Sequence, residues 1–217
     1  RVKAGGFQGF DEYYEFLTSP RGVQERQRFL DAVTTNETSF FRTQQHFDWL
    51  KNDWITEQVA LARSGKRPSN LRLWSAGCAN GAEPYTMAIC LAENGYRLGD
   101  WDLQIVGTDL SQEMLDRTEE GAFTARSIET VPAQQRKRFF RHDEDNARWI
   151  VRDELKRLVK FSHHNLMNPI REAPFDCIFI RNVLIYFDAE SKRKVFANLL
   201  RALSPGGYLV IGPSEGI

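Results

Sequence analysis

Apolar residues recur at two different spacings along this chain. Up to about residue 68 the spacing is helical. Leu17-Thr18-Ser19-Pro20 closes one short amphipathic segment and opens another, with Pro20 at an early helical position where its missing N–H costs nothing. Phe29, Leu30 and Val33 continue at helical spacing. Phe47, Leu50, Trp54, Ile55, Val59 and Leu61 predict one longer amphipathic helix from Gln44 to Ala62, closed by Gly65 and Pro68. Beyond that point the pattern becomes short apolar runs ending in glycine or polar residues. Leu71–Gly77, Leu103–Asp109, Val159–His163, Phe175–Ile180 and Gly207–Gly212 read as strands. Glu83–Glu93, Ser111–Glu120 and Ala189–Leu203 read as helices between them. Strand and helix in alternation predict an α/β fold with a doubly wound, mostly parallel sheet. The expected organisation is a small all-helical N-terminal domain and linker over 1–68, then the sheet domain over 69–217. A small inserted subdomain at about 121–158 interrupts the alternation.

Composition narrows the class. The chain has 217 residues, 41% apolar and 27% charged, ordinary for a globular protein and long enough to bury a core. Lys plus Arg and Asp plus Glu both number 29, so nothing suggests a chain that coats nucleic acid. The insertion is locally basic, with ten basic against six acidic residues over 123–160. Cys78, Cys90 and Cys177 are odd in number and form no CxxC pair, which points to a reducing cytoplasm rather than a disulfide framework. The longest uncharged run, Ala202–Ser214, is broken by Pro205, Gly206 and Gly207 and is too short for a membrane helix. No signal-peptide pattern is present, and the first residue is Arg1, as in a fragment of a longer chain.

The chemistry gathers at the strand ends. The turn Ser75-Ala76-Gly77-Cys78-Ala79-Asn80-Gly81 has two glycines that let backbone approach a ligand. It is neither a GxGxxG fingerprint nor a GxxxxGK[ST] loop, and it carries no Lys or Arg to meet a phosphate. Asp109, ending the second strand, suits the two hydroxyls of a ribose; it also suits a helix N-cap, a role that Ser111 can fill. A glycine turn and a strand-end acid without phosphate chemistry point to S-adenosylmethionine.

Three further segments are more distinctive: Asn36-Glu37-Thr38-Ser39-Phe40-Phe41-Arg42, Arg181-Asn182-Val183-Leu184-Ile185-Tyr186-Phe187-Asp188 and Gly212-Pro213-Ser214-Glu215. With the glycine turn, and from about Phe10 to Ile217, the chain resembles the CheR family of chemotaxis receptor glutamate methyltransferases. The resemblance implies a class I methyltransferase (Rossmann-like) sheet and S-adenosylmethionine as cofactor. It implies that Asn36, Thr38 and Arg42 reach over the cofactor, that Ala76, Gly77 and Glu83 lie at its methionine part and that Asp109 takes the ribose. Asn165 and Leu166 would sit at the adenine, and Asn182 and Val183 would flank the cofactor. Arg42 and Tyr186 would face the transferring methyl. Two positions depart from the pattern: of the two acids often found at Ala82-Glu83 only the second is kept, and Pro213 stands where a His is common. The family's sheet normally continues into an antiparallel hairpin and its helical domain starts earlier, so truncation at both ends is the expectation.

The implied reaction is transfer of a methyl group to receptor glutamates in the cytoplasm, giving methyl esters in chemotaxis or related signalling. The partner is the cytoplasmic helical bundle of a chemoreceptor, met by a monomer through the basic stretch Arg136–Arg141. No nucleic acid, membrane insertion or metal enters. Arg136, Arg138 and Arg141 are expected to share a helical side. Some family members grip a receptor C-terminal peptide through a glycine-containing loop. Here the loop His142–Ala147 has no glycine and three acids, so docking without a tether is expected. Phe40 and Phe41 read as packing, Cys78 as an apolar filler, and His163 and His164 as structural residues on opposite faces of a strand. Two other functions compete: a catalytically weak module that binds S-adenosylmethionine and acts by protein contact, and a methyltransferase for a small molecule or RNA.

Overall fold

A computed structural model describes residues 1–33, 38–172 and 174–215. The chain opens with helices α1 (Phe10–Thr18) and α2 (Val23–Val33), joined by a 3-10 turn at Pro20–Gly22. Helices α3 (Gln44–Trp49) and α4 (Ile55–Arg63) follow, linked by a π-helical turn at Leu50–Trp54. The helix expected over Gln44–Ala62 is therefore interrupted by one widened turn. That turn brings Phe47, Leu50, Trp54 and Ile55 all into the interior, each at most 1% exposed.

Strand β1 (Asn70–Ala76) leads into α5 (Ala82–Glu93) and the short α6 (Gly95–Leu98), then β2 (Asp102–Asp109) and α7 (Gln112–Glu120). The insertion holds β3 (Ala122–Thr124), α8 (Ala133–Phe139), β4 (Phe140–Asp143), β5 (Arg148–Val151) and α9 (Asp153–Lys156). Strand β6 (Val159–His163), β7 (Phe175–Ile180), α10 (Ala189–Ala202) and β8 (Leu203–Ile211) complete the chain. The main sheet has the order β6-β2-β1-β7-β8 and every pairing in it is parallel. Strands β3, β5 and β4 form a separate antiparallel sheet. Central β1 is buried along most of its length, as a parallel strand covered on both faces must be. Helix α5 is buried almost all round, which explains why its sequence shows no polar face.

The helical region is not one unit apart from the sheet. Phe47, Leu50, Trp54, Ile55 and Val59 share a hydrophobic cluster with Leu71, Leu73, Met87 and Leu91. Their apolar stripe faces α5 and the sheet, so the boundary expected near residue 68 runs through a common core. Helices α1 and α2 instead meet through an aromatic edge, Tyr13 on Phe29 at 6.1 Å, and Phe7, just before α1, packs on Tyr13 at 5.0 Å. A buried Glu25 accepts from Arg1 at 2.7 Å and from Tyr13 Oη at 3.0 Å, and the Arg1 bond holds its carboxyl below the usual range.

The insertion corrects one expectation. Helix α8 ends at Phe139, so Arg141 lies on β4 and shares no helical side with Arg136 and Arg138. Arg136 folds back, donating to the Val131 carbonyl at 3.1 Å with its guanidinium 5.8 Å from the Trp149 ring. Lys137, Arg138 and Arg141 are the exposed cations of this stretch.

Candidate active site

The order of the main sheet reverses between β1 and β7, and a crevice opens at the carboxyl ends of the strands there, the usual ligand position in such sheets. A cavity of about 330 Å³ fills it, within the roughly 300–1,000 Å³ range of small-molecule sites.

The floor comes from strand ends. After β1 the chain turns at Gly77, whose φ is +84°. The Gly77 and Cys78 N–H groups donate to the Thr108 carbonyl at 2.8 and 2.9 Å, tying this turn to β2. A Cβ at Gly77 would meet Val183 Cγ2 at 2.5 Å, so glycine is required both by conformation and by the close approach of the 181–183 turn. Asp109 Oδ2 accepts from the Ala79 N–H at 2.8 Å and Oδ1 from the Ser111 N–H at 2.9 Å. Ser111 itself caps α7, its Oγ accepting from the Met114 N–H at 3.2 Å. Asp109 thus clamps two turns, and each carboxylate oxygen keeps accepting capacity toward the cavity it lines. Asn165 Oδ1 accepts from the Met167 N–H at 2.9 Å, and Asn198 donates to the Leu166 carbonyl at 3.0 Å. Glu215, fully buried, accepts from the Val183 N–H at 2.8 Å and holds the turn in which Asn182 adopts φ +59°.

The roof is the segment 38–43. Phe41 and Thr43 have φ values of +54° and +59°, costly for residues with a side chain. Among the described residues, three side chains hold its backbone. Thr130 Oγ1 donates to the Phe40 carbonyl at 2.7 Å, the Phe41 N–H donates to Thr86 Oγ1 at 3.3 Å, and Arg181 donates to the Arg42 carbonyl. Arg181 also pairs with Glu83 at 3.1 Å, and Glu83 accepts from Ser75 Oγ at 2.7 Å. Burial pushes the Glu83 carboxyl up and the Arg181 guanidinium down, each offset by the other's charge. The Arg181 guanidinium lies 5.4 Å from the Phe47 ring.

Thr38, Arg42, Gly77, Glu83, Asp109, Asn165, Leu166, Asn182, Val183 and Tyr186 all line this one cavity. Ala76 does not line it; its side chain is 1% exposed in the core beneath. Asn36 lies outside the described residues. The wall also includes Arg181, Cys78, Ala79, Leu110, His164 and Leu30, which the sequence patterns did not single out for this purpose. His164 follows the last residue of β6, so it turns into the cavity instead of alternating with His163 along a strand. Burial keeps its ring below the usual histidine range. The Cys78 thiol is 1% exposed and pushed well up by burial, as befits an apolar filler. Phe40 and Phe41 are buried packing residues. Among the described residues no cluster of three or more His, Cys, Asp or Glu is placed to hold a metal ion.

The crevice suits an adenosine cofactor without phosphates. The turn that a Cβ would block, the strand-end acid and the apolar Leu166 and Val183 fit a ribose, an adenine and a methionine part. A parallel sheet in this order, with this site at its switch point, is the class I fold of S-adenosylmethionine-dependent methyltransferases. Residues 36–217 match the model of the CheR methyltransferase, SAM binding domain, and the chain belongs to that family. It is 38% identical over 216 residues to a probable chemotaxis protein methyltransferase of Rhizobium etli, covering 98% of this chain and 79% of the relative. A chemotaxis protein methyltransferase of Borreliella burgdorferi is 34% identical over 223 residues, with 100% and 77% covered. One from Salmonella typhimurium is 33% identical over 220 residues, with 99% and 72% covered.

Proposed function

We propose that this methyltransferase esterifies the side-chain carboxylate of glutamates on the cytoplasmic helical bundle of a chemoreceptor. The observation that carries the reading is the convergence of Arg42 and Tyr186 on the cavity whose floor suits the cofactor. Tyr186 is 63% exposed at the end of the 3-10 turn Leu184–Tyr186, where a macromolecular substrate can reach it. S-adenosylmethionine, when bound, supplies a methyl group already activated on a sulfonium. Gly77, Asp109, Leu166 and Val183 would hold it, with Glu83 at the amino-acid end.

A glutamate is already ionised at pH 7, with a reference pKa of roughly 4.3, so the site needs no strong base. What remains for the protein is alignment and exclusion of water. Arg42 offers a planar, charge-assisted fork to a carboxylate, and Tyr186 adds a hydroxyl. The roof contacts hold the backbone of Arg42 while its side chain meets the substrate. Docking on an acidic receptor surface is assigned to the exposed Lys137, Arg138 and Arg141, in the cytoplasm, by a monomer and without a tethering peptide. Neither a catalytically weak binding module nor a methyltransferase for a small molecule or RNA is favoured beside relatives named as chemotaxis protein methyltransferases.

The test is incubation with labelled S-adenosylmethionine and receptor bundles, followed by release of volatile label in base. Base-labile label on the receptor, lost in Arg42→Ala and reduced less in Tyr186→Phe, is expected. Base-stable label, or label on RNA in place of receptor, would sink the reading.

A further inference from the structure

The inserted subdomain does not line the cavity, yet it reaches the segment that carries Arg42. Phe40 is 0% exposed, with its ring 4.8 Å from Phe123 and 5.3 Å from Phe140, both in the insertion. One residue before Arg42 the backbone takes a left-handed turn, and one residue after it takes another. Such a segment holds its shape only when its neighbours over-determine it. Two of the three backbone anchors come from the sheet domain proper, Thr86 on α5 and Arg181 after β7. The third, Thr130, comes from the loop between β3 and α8. The Thr130 side chain makes its bond from an exposed position, flanked by the buried Ile128 and Val131 that fix its own backbone.

We propose that Thr130 is a positioning residue for Arg42, so that the insertion sets the geometry of methyl transfer as well as meeting the receptor. The inference rests on the role given to Arg42 above. The hydroxyl donates to the Phe40 carbonyl at 2.7 Å and restrains the Phe40–Phe41 peptide from its carbonyl side while Thr86 holds its N–H, and the left-handed residues on either side of Arg42 pass that restraint to the Arg42 side chain.

Thr130→Val removes the hydroxyl and keeps the shape at an exposed site, so folding and thermal stability stay near those of the parent. Receptor methylation should lose roughly three- to tenfold in kcat, the scale of one hydrogen bond, with KM for receptor unchanged. Thr130→Ser should restore kcat. In an Arg42→Lys background, where the planar fork is already gone, Thr130→Val should add no further loss. Unchanged kcat in Thr130→Val would overturn the proposal, as would a loss that appears only in receptor KM, a Thr130→Ser variant as slow as the valine, or full additivity with Arg42→Lys. Full turnover by Arg42→Ala would remove Arg42 from the reaction itself, and the inference would fall with that reading, an outcome distinct from failure of the Thr130 variants alone.

Discussion

The floor and the roof of the cavity are built in different ways. The floor is made where parallel strands end. Its parts lie within a few residues of β1, β2, β6 and β7, and the hydrogen bonds that shape it join adjacent strand ends, the Gly77 and Cys78 N–H groups to the Thr108 carbonyl and the Asp109 carboxylate to the turns on either side. The roof is six residues without a strand or helix of their own, held by side chains 45, 90 and 139 positions away in sequence. The floor inherits its precision from the sheet. The roof depends on separate polar contacts, each of which can be lost alone, and it carries the group assigned to the substrate.

The most severe way to break that contrast is to remove the link between the halves. Arg181 has a side chain 2% exposed and bridges Glu83 to the Arg42 carbonyl. Arg181→Met leaves Glu83 buried without its cation, which costs about 3–5 kcal/mol, measurable by urea unfolding. Methyl transfer should fall further than S-adenosylhomocysteine affinity. If Arg181→Met unfolds at the parental urea concentration, the pair is not what joins roof to floor.

A smaller effect is expected from Gly77→Ala, which strikes the floor alone. The left-handed backbone and the 2.5 Å approach of Val183 Cγ2 together cost about 1–3 kcal/mol, and calorimetric titration should show S-adenosylhomocysteine binding weakened. Val183→Ala removes the methyl in the way and should recover part of the loss. Parental affinity in Gly77→Ala would mean the floor adapts as readily as the roof.

The mildest probe is pH, because one histidine lies on each side. His164 is held below its usual pKa by burial in the floor; His46, near the roof, is lowered by burial first and by the Arg181 charge second. Both rings are favoured neutral in the folded state, so the unfolded chain binds more protons below its own pKa of roughly 6.5. Stability is therefore complete above that value and declines as pH falls through it. Thermal melting between pH 7.5 and 5.5, compared for His46→Gln and His164→Gln, would assign the decline to roof or floor; a flat melting temperature in the parent would show that neither ring matters.

The sequence was legible where the physics is local. Strands β6 and β7 have the limits that their apolar runs predict, Val159–His163 and Phe175–Ile180. Ser111 caps α7 as its type and place suggest. The Gln44–Ala62 helix was legible as a helix but not as a widened one, because the π turn serves a core formed with α5 and the sheet. Arg141 was placed on a helix because residues 136–141 carry a basic run, and a run of like charges says nothing about where a helix gives way to a strand. Arg181 stood inside a quoted motif without an assigned role. Its partners are distant in sequence, Glu83 by 98 positions and Arg42 by 139, and no periodicity reports them. Glu215 likewise stood in a quoted motif without an assigned role, and Thr86 and Thr130 escaped notice for the same reason.

What this chain's sequence determined alone is the alternation of strands and helices, the glycine turn and acid at two strand ends, and motifs distinctive enough to name a family. Side-chain periodicity, glycine's conformational freedom and capping are properties of a few adjacent residues, so they can be read in one dimension. Tertiary structure alone decided that α3 and α4 share the sheet's core, that His164 turns into the cavity while Ala76 turns away, and that the segment bearing Arg42 hangs from Thr86, Thr130 and Arg181. Those outcomes depend on which distant groups meet when apolar faces are buried together, and burial is a property of the packed whole.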